Sequence, residues 1–264
     1  MARRFSIGGI NICFLAIMVV SFVFDAKALA ARKYDFFKIA MKWPPSYCNT
    51  GQSSCQEPIV VNFTIHGLFP MYNPETIVPP YDEDHGCTDI QPMDEDDIDL
   101  DYLESESILD ELNMYWMDVV FNNWVEMNLQ QWRKQYKKHG KCFDYADHPS
   151  YFFNMALAFV RRVNLLLILD YASITPNNEE EAYLARHIRN NISNAGGGKR
   201  VQIRCNEDAN GFLQLSEVRV CFKPSGVAID CPHGYAKGLP AQIVIVNKRL
   251  SELFARAFDT FSGA

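Results

Sequence analysis

A chain of 264 residues, 48% apolar, 22% charged and 13% aromatic, has the make-up of an ordinary globular protein, which excludes a disordered or collagen-like chain. The length allows one large domain or two small ones, with a sizeable core either way. With 25 basic and 32 acidic residues the formal charge is −7, which argues against binding polyanions through bulk charge and leaves any such binding to a local field.

Residues 1–30 read as a secretory signal peptide. Arg3 and Arg4 give a positive start, Phe14 to Phe24 is apolar except for Ser21, and Ala28-Leu29-Ala30 is a small-x-small cleavage site. The apolar run is shorter than the roughly 20 residues of a spanning helix. No later segment reads as long and apolar enough to span, so a secreted, extracellular chain with no membrane association is expected. Removing Arg3, Arg4, Asp25 and Lys27 takes the charge to −9. Seven cysteines remain: Cys48, Cys55, Cys87, Cys142, Cys205, Cys221 and Cys231. In an oxidising compartment they read as a disulfide framework, and the CxxC pairs of a metal site are lacking. N-glycosylation sequons begin at Asn62 and Asn191.

Tyr34 to Trp43 alternates like a strand and stops at Pro44-Pro45. Cys48 and Cys55 bracket a loop. Ile59 to Ile65 is a β-branched and aromatic run that predicts a strand, followed by a proline-rich loop from Pro70 to Pro80. Asp82 to Glu111 carries fourteen acidic residues and no Lys or Arg, which predicts a solvated loop grading into a helical stretch from Ile108 to Trp116. Trp124 to Lys138 predicts a helix ending near Gly140, and His148-Pro149-Ser150 opens an apolar helix through about Leu169. Asn177 to Glu181 opens another helix, ended by Gly196-Gly197-Gly198. Lys199–Cys205, Phe212–Phe222 and Ile243–Val246 predict strands. Leu250, Leu253, Phe254 and Phe258 make an amphipathic helical tail over 247–264. Strands and helices mix without βαβ alternation, which predicts an α+β domain.

Two segments carry chemistry. In and before Phe63-Thr64-Ile65-His66-Gly67-Leu68-Phe69-Pro70, strand alternation sends Val61, Phe63 and Ile65 into the core and leaves Asn62, Thr64 and His66 on the open face, His66 at a strand end that Gly67 and Pro70 break. In Trp132 to Cys142, helical spacing gathers Lys134, Gln135, Lys138 and His139 on one patch, with Trp132 and Tyr136 on a neighbouring apolar face. Taken alone, each segment also reads as structural, one a strand-end histidine and the other a solvated basic helix end.

Together the two segments resemble the active-site signatures of the ribonuclease T2 family. Phe63 to Pro70 matches an FTIHGLWP-like signature with Phe69 in place of Trp. Lys134 to Cys142, KQYKKHGKC, matches a signature in which Lys134 stands for the usual His and Gln135 for the usual Glu. Trp43-Pro44 with Cys48, and Leu215 to Cys221, extend the resemblance over most of residues 35–246, closest in tone to plant self-incompatibility ribonucleases and their relatives. The resemblance implies a single disulfide-braced α+β domain over 31–246, with an antiparallel central sheet packed with helices. It implies a metal-independent endoribonuclease that cleaves single-stranded RNA to 2′,3′-cyclic phosphates without a cofactor. His139 would be the base, His66 the acid and Lys138 the electrostatic stabiliser, with Gln135 beside them. Lys134 would bind phosphate and Phe69 would stack on a base. The implied disulfides are Cys48–Cys55, Cys87–Cys142 and Cys221–Cys231, which leaves Cys205 over. A catalytically weak or inactive ribonuclease-like secreted glycoprotein that binds RNA or a partner is the alternative. A monomer is expected, with the acidic stretch and the terminal helix as two candidate surfaces for a protein partner.

Overall fold

Alternation in Phe36–Lys42 makes β1 the centre of the molecule: Phe37, Ile39 and Met41 enter the main core, while Lys38, Ala40 and Lys42 share the opposite face. The computed structural model describes residues 34–52, 55–83, 87–121, 124–176, 182–232 and 242–246. The expected signal peptide and the helical tail from residue 247 lie outside them. β1 pairs antiparallel with β2 (Thr64–Tyr72) on one edge and with β6 (Leu213–Phe222) on the other. β2 continues into β3 (Thr76–Ile77). The far edge of β6 carries β5 (Gln202–Glu207) and β7 (Ala228–Ile229). β8 (Gln242–Val244) touches β6 in parallel at Gln214–Val244 and pairs antiparallel with β4 (Ala182–Leu184). Apart from that parallel contact the sheet is antiparallel, and the fold is α+β as expected.

The helices are α1 (Pro44–Cys48), α2 (Leu100–Ser105), α3 (Leu109–Tyr115), α4 (Val125–Gln135), α5 (Pro149–Val160), α6 (Leu165–Tyr171) and α7 (Ala185–Ala195). Their apolar faces close one core with the sheet, holding Trp43, Trp116, Trp132 and Tyr136 fully buried. Two of the buried indoles are satisfied: Trp43 Nε1 donates to the Val246 carbonyl at 2.8 Å and Trp132 Nε1 to the Trp116 carbonyl at 2.7 Å. The three disulfides are Cys48–Cys55, Cys87–Cys142 and Cys221–Cys231, as the resemblance implied, and Cys205 lies outside them.

Several expectations from local sequence shift. Pro44-Pro45 does not merely stop β1; it opens α1, because a proline in the first helical turn costs no hydrogen bond. Residues 59–63 lie outside any strand, which leaves Val61 exposed rather than in the core; β2 instead starts at Thr64, which is buried, and runs through Gly67 and Pro70 to Tyr72. Pro70 is tolerated because its carbonyl accepts from Val78 N at 3.0 Å. Its backbone polar side therefore faces away from the β1 ladder, where the missing N–H is not needed. The apolar helix from Pro149 breaks into α5 and α6, with Arg161 turned out to pair with Glu111 and Asn164 capping Leu167 N at 3.0 Å. Residues 149–171 do pass for a membrane span by length and composition, their most apolar 18-residue stretch having a mean hydropathy of 1.7, contrary to the expectation. Here that run lays Phe152, Phe153, Ala156 and Leu157 into the core. The helix expected from Asn177 begins at Ala185, after β4, and residues 177–181 lie outside the described residues.

Candidate active site

Trp132 and Tyr136, four residues apart and fully buried, fix which side of α4 faces the core. The helix then tightens its fit through a π-turn over Tyr136–Gly140, in which Lys141 N donates to the Tyr136 carbonyl at 3.0 Å. Such one-residue expansions recur at functional sites because they re-aim side chains without ending the helix. The expected four-residue patch is split as a result. Gln135 is buried and His139 partly buried, whereas Lys134 and Lys138 are exposed beside them. Burial, the Lys138 charge and the nearby His66 together push the His139 imidazole down to about 4. Its Nδ1 and the Gln135 Oε1 are both buried without a hydrogen-bond partner among the described residues.

His66 reaches the site through a defect in the sheet. The register steps from Ala40–Gly67 to Met41–Ile65, so His66 has no partner on β1 and is the extra residue of a β-bulge. Its Nδ1 lies 2.6 Å from Glu217 Oε2 on β6. Burial disfavours the Glu217 charge, but the hydrogen bond to His66 and the Arg219 guanidinium outweigh it and hold the carboxyl at about 2. An ionised carboxylate only accepts, so the proton of this bond sits on Nδ1 and Nε2 is the nitrogen that remains to exchange protons.

Phe69 joins the two halves. Its ring meets His139 edge-on at 4.7 Å between centroids and His66 at 6.0 Å. Gly67 permits this approach: a Cβ there would lie 2.6 Å from Gln135 Oε1 and 2.8 Å from the Phe69 ring. Gly67→Ala is therefore expected to displace both side chains and to lower turnover at least tenfold. An assay of the variant, with circular dichroism to monitor the fold, checks this. The outer face of α4 is answered by the acidic stretch. Arg133 donates to the carbonyls of Ile98 (2.7 Å) and Asp96 (2.8 Å), while Lys137 and Lys141 both pair with Glu95. Those bonds hold Glu95 at about 2 against its burial. Of the five cations near the signature, Lys134 and Lys138 remain for the site. The acidic residues expected to be only solvated thus supply a clasp on the helix.

The model of the ribonuclease T2 family matches residues 34–231. The chain belongs to the ribonuclease T2 family. It is 31% identical over 208 residues to the extracellular ribonuclease LE of Solanum lycopersicum, covering 77% of this chain and 83% of that one. It is 28% identical to ribonuclease S-2 of Antirrhinum hispanicum, covering 82% and 85%. The solved structure of RNase NT in complex with 5′-AMP superposes with a TM-score of 0.65 at 27% identity, covering 81% and 98%.

In this T2 ribonuclease, then, the expected His66, Phe69, Gln135, Lys138 and His139 come together around one site, while Lys134 is exposed on the helix next to Gln135. Asn62 is exposed just outside β2, and Asn191 is half-buried on α7, where its Nδ2 donates to the His187 carbonyl at 2.9 Å. Glu217 is the member that sequence reasoning missed. Alternation along Leu215–Cys221 places it on one face with Arg219, but its reach to His66 depends on the β2-β1-β6 order and the β2 bulge.

Proposed function

We propose that this chain is a secreted, metal-independent endoribonuclease acting as a monomer on single-stranded RNA. The observation that carries this is the contrast between two histidines packed on one phenylalanine. His139 is held neutral by burial and neighbouring positive charge, while His66 donates to a carboxylate. A neutral imidazole is free to accept a proton, and an imidazole that donates through Nδ1 to a carboxylate keeps Nε2 for a departing oxygen.

His139 accepts the proton of the ribose 2′-hydroxyl as that oxygen attacks the adjacent phosphorus. The bond from phosphorus to the 5′-oxygen breaks, and His66 protonates the departing oxygen. The product is a 2′,3′-cyclic phosphate, and in the reverse sense the roles exchange. Lys138 sits where positive charge stabilises the phosphorane oxygens, and Lys134 holds phosphate as a point charge. Gln135 brings an amide to the site, which can hydrogen-bond a phosphate but moves no proton. Phe69 offers a face for a base.

A base works only when deprotonated, and the His139 imidazole is held near 4. The rate is therefore expected to rise as pH climbs through about 4 and to stay high into the mildly acidic range. Cleavage of an oligoribonucleotide in a chelator, followed from pH 3 upward, tests this. An acid limb near the ordinary imidazole value of about 6.5 would contradict it.

The leader, the exposed Asn62 sequon and the three disulfides support export. Likeness to a ribonuclease S-2 supports extending the reading to self-incompatibility. Expression confined to the pistil would favour that extension, and expression throughout vegetative tissue would remove it.

A further inference from the structure

A side chain at a bulge lacks the cross-strand neighbour that ordinarily sets its orientation, so the His66 ring must be aimed by something else. The sheet supplies it from two strands away. In the order β2-β1-β6, Ala40 on β1 stands opposite both Gly67 and Arg219. With a methyl group on one strand and no side chain on the next, the space over β1 is open, and Glu217 reaches across it to His66 Nδ1 at 2.6 Å. Glu217 itself borders a second irregularity. The β5–β6 register steps from Arg204–Glu217 to Cys205–Leu215, leaving Ser216 as the extra residue. The Glu217 side chain is only 9% exposed, so it has little freedom of its own. Its other oxygen is held by Arg219 Nε, and Lys42 and Arg204 stand directly opposite it on the two flanking strands. His66 also faces Phe69 on its own strand and His139 at the helix end. A carboxylate among these cations stays ionised and accepts only.

We infer that Glu217 is a positioning residue for this nuclease: it holds the His66 imidazole by Nδ1 and presents Nε2 to the departing 5′-oxygen. This rests on the reading of His66 as the acid. It also bears on Gln135. The catalytic helix brings no carboxylate to the site at that position, so the carboxylate that serves the histidine pair comes from the sheet.

The test uses the full chain and two substitutions. Glu217→Gln keeps the shape and one acceptor but loses the charge, whereas Glu217→Ala loses both. Loss of a hydrogen bond to a charged group predicts that Glu217→Ala lowers kcat about 10- to 100-fold, with KM for a short oligoribonucleotide within about threefold. Glu217→Gln is expected to fall between Glu217→Ala and the unaltered chain. The second readout is independent of activity. Imidazole 15N spectra at mildly alkaline pH are expected to show His66 protonated on Nδ1 in the unaltered chain, and to lose that preference in Glu217→Ala. Unchanged kcat, or an unchanged His66 tautomer, in a folded Glu217→Ala chain would overturn the role. If the unaltered chain cleaves no RNA, the nuclease reading itself fails, and the tautomer spectra still report separately whether Glu217 sets the ring.

Discussion

Alanine at His66 or at His139 is expected to lower kcat/KM for RNA by about 10²–10⁴-fold, the range that a positioned proton donor or acceptor contributes. In the proposed mechanism each ring serves one end of a single proton relay, so the double substitution should cost little more than the worse single one. The two variants should differ in their pH dependence. With His139 removed the acid limb near 4 disappears, because the group that titrates there is gone. With His66 removed that limb should persist at a far lower rate. Lys138→Ala should cost less than either, since its charge stabilises the phosphorane without moving a proton. Steady-state kinetics on a defined oligoribonucleotide separates these outcomes.

Replacing Cys87 and Cys142 by serine is expected to bring the largest loss of stability. This bridge closes a segment with a sequence separation of 55, against 7 for Cys48–Cys55 and 10 for Cys221–Cys231. The chain-entropy model assigns about 4 kcal/mol to a loop of that length. For a domain of this size that corresponds to a fall in Tm of about 8–16 °C. The bridge also has a local duty. Cys142 follows the π-turn directly, and Cys87 belongs to the segment that leads to Glu95, so the disulfide and the Glu95 clasp hold the same end of the catalytic helix. Activity in the variant should therefore decline at temperatures below the main unfolding transition, as the helix end loosens first. Calorimetry together with activity against temperature checks both parts.

Much of the site was legible because it lies in two short, contiguous segments. His66 and Phe69 share one strand, and Gln135, Lys138 and His139 one helical end, so local spacing and residue chemistry name them. Three features depend on register and remained hidden. The β2 bulge is a mismatch between two strands that are more than twenty residues apart in sequence, and neither strand announces it. Glu217 looks like any polar residue on an alternating strand until β1 is placed between it and His66. The Glu95 clasp pairs an acidic stretch with cations about forty residues away, and composition alone marks both as solvated. Local breaker rules also misled where the tertiary context absorbed them. Pro70 sits within β2 because its backbone polar side faces away from the β1 ladder, and Gly67 is there for the approach of Gln135 and Phe69 rather than to end the strand.

The net charge belongs to the same lesson. A chain of formal charge −7 can still take a polyanion, because Arg133, Lys137 and Lys141 spend themselves on the acidic stretch while Lys134 and Lys138 stay exposed at the histidines. An acidic body with two exposed cations at the site predicts weak nonspecific RNA binding and a shallow salt dependence of affinity.

The central claim is that two histidines transfer protons while the RNA's own 2′-hydroxyl is the nucleophile. Mass analysis of the products from a single oligoribonucleotide, incubated with the purified chain in a chelator at mildly acidic pH, tests it most directly. The expected products are fragments ending in 2′,3′-cyclic phosphate, each matched by a partner with a free 5′-hydroxyl, with no cleavage of the 2′-deoxy analogue. Products carrying a 5′-phosphate, or cleavage of the 2′-deoxy substrate, would contradict it.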